Sequence, residues 1–180
     1  MELFWYFVIY SFLGFLLEVV FARLVRANKR DRKCFVLLPL CPVYGLGALA
    51  ILLLPESVRQ SGPLLVVFGG LAATCTEYLM AVFYEKMLGV AFWDYSGLRF
   101  NLHGRVCPLF SLFWGLLAVL LVHRIHLAVA LWAGEIPVAV SASAMLLVAA
   151  DSVYTAALLQ VRGDTNCLRW YDQGQKNTAG

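Results

Sequence analysis

The chain has 180 residues, of which 62% are hydrophobic and only 14% charged, with a mean hydropathy of +0.78. A soluble domain carries nearer a quarter charged residues because its surface must face water, so this composition excludes an ordinary water-soluble globule. The net charge of +3 gives no support to a nucleic-acid partner, and none is expected.

The apolar residues fall in blocks of about 20, the length a helix needs to cross the hydrocarbon core of a bilayer. No alternating strand pattern recurs, which argues against a β-barrel. The expected fold is an all-α integral membrane protein with about five transmembrane helices, over 3–22, 35–54, 63–84, 106–123 and 137–160. They would form a single transmembrane domain over 1–162, followed by a cytoplasmic tail over 163–180. The opening residues Met1-Glu2-Leu3-Phe4-Trp5 lack the basic flank of a secretory signal, so the first apolar stretch is expected to remain as a permanent helix.

Between the first two spans lie Arg23, Arg26, Lys29, Arg30, Arg32 and Lys33, six basic residues in eleven positions. Lys86, Arg99 and Arg105 follow the third span, and Arg162, Arg169 and Lys176 follow the fifth. Twelve of the fourteen Lys and Arg residues thus share one side, leaving Arg59 and Arg124 for the other. Basic residues are retained in the cytoplasm, which puts the N-terminus outside and the C-terminus inside. The basic run would also meet anionic membrane lipids. Rings such as Trp5, Tyr6, Tyr10, Trp93, Tyr95, Trp132, Trp170 and Tyr171 mostly fall near the expected interfaces. Five cysteines in helices or on the inner side read as free thiols rather than a disulfide framework.

The first four spans read as an internal repeat, repeat one over 3–54 and repeat two over 63–123, with the fifth helix outside the pair. Each unit places a glutamate (Glu18, Glu77) late in a helix going inward and a Cys-Pro (Cys41-Pro42, Cys107-Pro108) at the start of the returning helix. The Glu-to-Cys separations are 23 and 30 residues. A two-span unit keeps its orientation when repeated, and parallel repeats of this kind occur in transporters with the substrate site between them. Chance similarity between apolar segments is the competing explanation.

Acids inside a membrane cost roughly 2.5 to 3.5 kcal/mol each on insertion scales, so each one asks for a reason. Glu18 and Glu77 are read as converging near the repeat axis to bind a cation, a proton or an amine, or else as structural hydrogen-bond acceptors. Glu85 lies eight positions after Glu77 on nearly the same face, close to the inner headgroups. Asp151, in the fifth span, is expected to be structural, with Ser152 or Tyr154 as local partners. Proline suits the first helical turn, so Cys41-Pro42 and Cys107-Pro108 read as helix starts. With Pro39 three residues earlier, 34–44 is expected to be partly unwound, which survives at depth only inside protein or along a wet cavity. Two helix starts aimed inward, opposite two acids, would suit a zwitterion. The connection from Phe92 to Arg105 is too long and aromatic for a minimal turn and reads as an ordered or re-entrant loop, or as an interfacial one. No short-spaced Cys or His pair accompanies His103, Cys41 and Cys107, so neither a metal nor any other cofactor is expected.

Gly14-Phe15-Leu16-Leu17-Glu18, Cys41-Pro42-Val43-Tyr44-Gly45, Glu77-Tyr78-Leu79, Glu85-Lys86, Trp93-Asp94-Tyr95, Asn101-Leu102-His103-Gly104-Arg105 and Ser111-Leu112-Phe113-Trp114-Gly115 occur in this order. Over roughly residues 7–123 the chain resembles the bacterial membrane family described as "putative ABC-transporter type IV", or CmpB-like. Leu38 stands where that family often has Gly, and His103 where it often has Asn. The resemblance implies a permease-like component of a bacterial inner membrane. No G-x-x-x-x-G-K-[ST] phosphate loop is present, so an ATPase would have to be a separate subunit.

The leading expectation is a transport component binding a small cationic, zwitterionic or amine-containing solute at a site open to the cytoplasm. Glu18 and Glu77 would be its acids and Arg105 a counter-charge, with Tyr44, Asn101, Trp93, Asp94 and Glu85 around them. Five spans make a small translocation unit, so a homodimer or a partner subunit is expected. The alternatives are a non-catalytic scaffold or assembly factor, and a membrane enzyme acting on a lipid headgroup through Glu77 or Glu85, Cys41 or Cys107, and Arg105.

Overall fold

The computed structural model describes residues 1–25 and 34–168. The expected basic run Arg26, Lys29, Arg30, Arg32 and Lys33, and the tail residues Arg169, Trp170, Tyr171 and Lys176, lie outside the described residues. Helices account for nearly all the regular structure: α1 (Glu2–Leu24), α2 (Pro42–Leu52), the single turn α3 (Glu56–Arg59), α4 (Gly62–Phe83), α5 (Pro108–Leu120), α6 (His126–Gly134) and α7 (Val138–Arg162). A π-helical turn, Tyr84–Leu88, prolongs α4, and a second, Leu121–Ile125, joins α5 to α6 without a break.

Four of these units are long and apolar enough to cross a membrane: Glu2–Leu24, Gly62–Leu88, Pro108–Gly134 and Val138–Arg162. Together with the shorter apolar helix α2 they make an all-α membrane protein. The second expected span differs from a regular helix. Only Pro42–Leu52 is helical there, 11 residues or about 16 Å, and 34–41 is non-helical backbone. Pro39 and Pro42 are the cause, because neither can donate the amide that would extend the helix backward. The fourth span also runs past the expected end at 123. Both of its histidines have partners: His123 Nε2–H donates to the Arg59 carbonyl at 2.8 Å, and His126 pairs with the Tyr10 hydroxyl at 3.1 Å. The helix therefore turns through its π segment from α4, on which α5 packs, to α1, on which α6 packs.

The main contacts join α1 to α2, α4 to α5, and α2 to α4. Glycines set the closeness of the first two. A methyl group on Gly14 would overlap the Tyr44 ring, one on Gly45 would meet Ser11 Oγ, and one on Gly115 would meet the Val66 carbonyl. Small residues let helix backbones approach where lipid supplies no hydrophobic drive between helices. Gly14→Ala should lower stability by about 1–3 kcal/mol, because Tyr44 is held by both packing and a hydrogen bond and cannot swing away cheaply. Thermal unfolding of purified protein in detergent would read this as a clear downward shift.

The non-helical segment 34–41 has its backbone amides bonded by three different parts of the chain. Cys34 N–H donates to the Leu40 carbonyl at 3.1 Å and Cys41 N–H to the Ser11 carbonyl of α1 at 3.0 Å. From α7, Thr155 Oγ1 accepts the Val36 N–H at 3.0 Å, while the Asp151 carboxyl accepts those of Leu37 at 3.2 Å and Leu38 at 2.8 Å. Asp151 is only 1% exposed and stands about 16 Å along its helix from Arg162. The buried acid of the fifth span is thus structural, as expected. Its partners are backbone amides and Thr155 instead of Ser152 or Tyr154, since Ser152 donates to its own helix at Val148.

Candidate functional site

Glu77 sits in the fifth turn of α4 and is 3% exposed. Both of its carboxyl oxygens are occupied: Tyr95 O–H donates to Oε1 at 2.9 Å and Trp114 Nε1–H to Oε2 at 3.0 Å. Glu18, half-buried on α1, accepts the Tyr44 O–H at 2.8 Å. The Tyr44 and Trp114 rings touch, with centroids 4.9 Å apart, so the donor of one acid packs against the donor of the other. The two glutamates face one cavity of about 890 Å³. Tyr44, Phe92, Trp93, Tyr95, Phe110 and Trp114 supply much of its wall, with Asp94 at the loop end and Leu117 at the deep end.

The loop after α4 delivers Tyr95 into this chamber. Gly89, at φ +68, ends the helix in a conformation that a side chain would disfavour. The Trp-Asp-Tyr and Asn-x-x-Gly-Arg elements then clasp one another across the loop. Tyr95 N–H donates to the Gly104 carbonyl at 2.7 Å, and Trp93 Nε1–H to the Arg105 carbonyl at 2.9 Å. Asn101 accepts the Gly104 N–H at 2.9 Å and donates to the carbonyls of Ser96 and Leu98. The Ser96 amide and hydroxyl beside Asp94 hold its carboxyl below the usual carboxylate range. Burial first, and then the neighbouring Glu77, raise the Tyr95 hydroxyl above its ordinary range, which keeps it a donor. The loop is ordered and aromatic, as its length and composition suggested.

Of the sequence-derived site residues, Glu18, Glu77, Tyr44, Trp93, Asp94 and Cys41 line the cavity. Six others lie elsewhere. Arg105 is bonded to Glu85 at 2.6 Å, donates to the Tyr78 hydroxyl at 3.2 Å and lies over the Tyr78 ring. It therefore neutralises Glu85 and anchors the loop to α4 instead of facing Glu18 or Glu77. Asn101 acts inside the loop. Of the helix-start residues, Cys107 caps α5 from an extended backbone, with Pro108 in its first turn as Pro42 is in α2, and neither Pro42, Cys107 nor Pro108 lines the cavity. Sequence reasoning missed Trp114 and Tyr95 as the donors to Glu77, and Phe110, which stacks on Tyr95 at 4.7 Å. The available signal was that all three belong to, or adjoin, the motifs quoted above.

Among the described residues the cavity lining has no Lys or Arg, and no group of three or more His, Cys, Asp or Glu could hold a metal ion. Carboxylates set in an aromatic wall can attract an organic cation, through charge and through the faces of the rings.

Neither a curated protein nor a solved structure matches the chain. The sequence profile of the family described as "Putative ABC-transporter type IV" matches residues 5–156, which takes in both glutamates, the clasped loop and Asp151, and the chain belongs to that family.

Proposed function

We propose that this protein is a membrane transport component whose chamber binds a small solute bearing an amine or another organic cation. The observation that carries this reading is the convergence of Glu18 and Glu77, from two different helix pairs, on one aromatic-walled cavity. A zwitterion would also need a cationic group for its carboxylate, and Arg105 is engaged by Glu85. A cationic solute is therefore favoured over a zwitterionic one.

We infer that the two helix pairs are copies of one unit. In support, Cys41 and Cys107 both start a helix from extended backbone with proline next, and each glutamate accepts an aromatic donor. Arg59 and His123 meet at one end of the bundle, while Met87 and Gln160 meet at the other, where the described basic residues gather. The basic end is the cytoplasmic one on the positive-inside rule, in a bacterial inner membrane, and the chamber opens toward it. ATP hydrolysis would come from a separate subunit.

A scaffold role has one observation in its favour, namely that both oxygens of Glu77 already have ring donors. Untargeted mass spectrometry of small molecules and lipids co-purifying with wild type and with Glu18→Gln/Glu77→Gln separates the two. An amine-bearing species retained only by the wild type is the expected result. Identical profiles from two folded, equally stable proteins would overturn the solute site and leave the scaffold.

A further inference from the structure

The chamber is not walled evenly. The helix pairs are tight within themselves, α1 on α2 and α4 on α5, but α1 and α5 share no extensive contact. They meet at an edge-to-face pair, Phe21 against Phe110, with centroids 6.2 Å apart. On either side of this seam, Leu17 and Phe21 of α1 and Phe113 of α5 line the cavity and are 38%, 36% and 50% exposed. With α1 and α5 meeting mainly at this ring pair, the cavity is thinly walled there.

Depth matters to what lies outside that seam. Leu17 stands about 10 Å along α1 from Leu24, and Phe113 about 8 Å along α5 from Pro108, within the stretch that crosses hydrocarbon. Glu18 lies beside Leu17 at the same level. The seam therefore connects carboxylates to lipid tails, not to water. A hydrophilic solute has no use for such an opening, whereas a molecule with an ammonium head and an alkyl chain matches both sides of it.

We propose that the ligand is a cationic amphiphile, an ammonium group on a single alkyl chain, that enters sideways from the inner leaflet between α1 and α5. Its head lies at Glu18 and Glu77 and its chain passes out over Leu17, Phe21 and Phe113. This rests on the solute-site reading above and narrows its substrate class. Net charge favours a simple amine over an aminophospholipid, whose phosphate would face Glu18, Glu77 and Asp94 with no Lys or Arg in the described lining.

The test uses the full chain in phosphatidylcholine vesicles with dodecylamine carrying a photoreactive diazirine at the chain end. Labelled peptides from α1 and α5, with labelling at least fivefold weaker in Glu18→Gln/Glu77→Gln and suppressed by untagged dodecylamine, are expected. A parallel arm with diazirine-tagged phosphatidylethanolamine should label these peptides no more than it does in the double variant. Acid-dependent phosphatidylethanolamine labelling would instead overturn the single-chain assignment. Acid-dependent dodecylamine labelling confined to 92–98 would overturn the portal and leave the solute site standing. Labelling spread over the outer faces of α4 and α7, unchanged in the double variant, would overturn the portal and the site together.

Discussion

Asp151→Leu should destabilise the protein by at least about 3 kcal/mol, more than any other single change at a polar residue described above. The leucine keeps the branched shape and removes an acid from a membrane helix, which by itself would favour insertion. It also strands the amides of Leu37 and Leu38, which have no helical carbonyl to turn to because Pro39 and Pro42 prevent helix there. Unsatisfied backbone groups in hydrocarbon cost several kcal/mol each, so the loss outweighs the gain. Asp151→Asn keeps one acceptor oxygen and should fall between. Thermal unfolding in detergent gives the first measurement, and maleimide labelling gives the second. Cys34 and Cys41, buried at present with their sulfurs 3.9 Å apart, should react severalfold faster once 34–41 is released. An Asp151→Leu protein as stable as wild type, with both thiols still shielded, would remove this account of the segment.

The second large effect is expected at Glu77, and it separates stability from binding. Glu77→Gln keeps an oxygen for one ring donor, so the fold should lose about 1 kcal/mol, in line with interhelical hydrogen bonds measured inside membranes. Binding of dodecylamine should fall tenfold or more, because a charge-assisted contact contributes about 1.5–3 kcal/mol and each 1.4 kcal/mol is a factor of ten. Glu77→Leu orphans both Tyr95 and Trp114 and should cost about 1–3 kcal/mol of stability with the same loss of binding. Titration of dodecylamine by intrinsic tryptophan fluorescence, to which Trp93 and Trp114 of the chamber contribute, would report the binding, and thermal unfolding in detergent the stability. Unchanged affinity in a folded Glu77→Gln protein would make Glu77 a structural acceptor only.

Helix content and the placement of most spans were legible because hydrophobic length is a local property of the chain. So was the unwinding before α2, since two prolines three residues apart forbid a regular helix whatever surrounds them. Glu18 and Glu77 were legible as a pair because a buried acid is conspicuous in an apolar sequence. What pairs with them was not. Trp114 reaches Glu77 across a helix interface, and its partner follows from crossing geometry that no spacing encodes. Arg105 looked like a counter-charge for the chamber because the shape of the clasped loop, which turns it toward Glu85, depends on hydrogen bonds such as Asn101 to Gly104. Asp151 was visible as an acid, but an acid that accepts main-chain amides leaves no complementary residue type in the sequence to find. The fourth span overran its expected end because His123 and His126 found partners in α3 and α1, which hydropathy does not register.

The dependence of 34–41 on α7 has a consequence for how the protein is made. A membrane chain enters the bilayer from its N-terminus, so α1, the segment and α2 all precede Asp151, with Leu38 synthesised 113 residues before the acid that accepts its amide. Until Val138–Arg162 arrives, the Val36, Leu37 and Leu38 amides lack the acceptors that α7 supplies, and the α1–α2 pair is an unfinished piece. Helix α7 thus completes a segment that was made well before it.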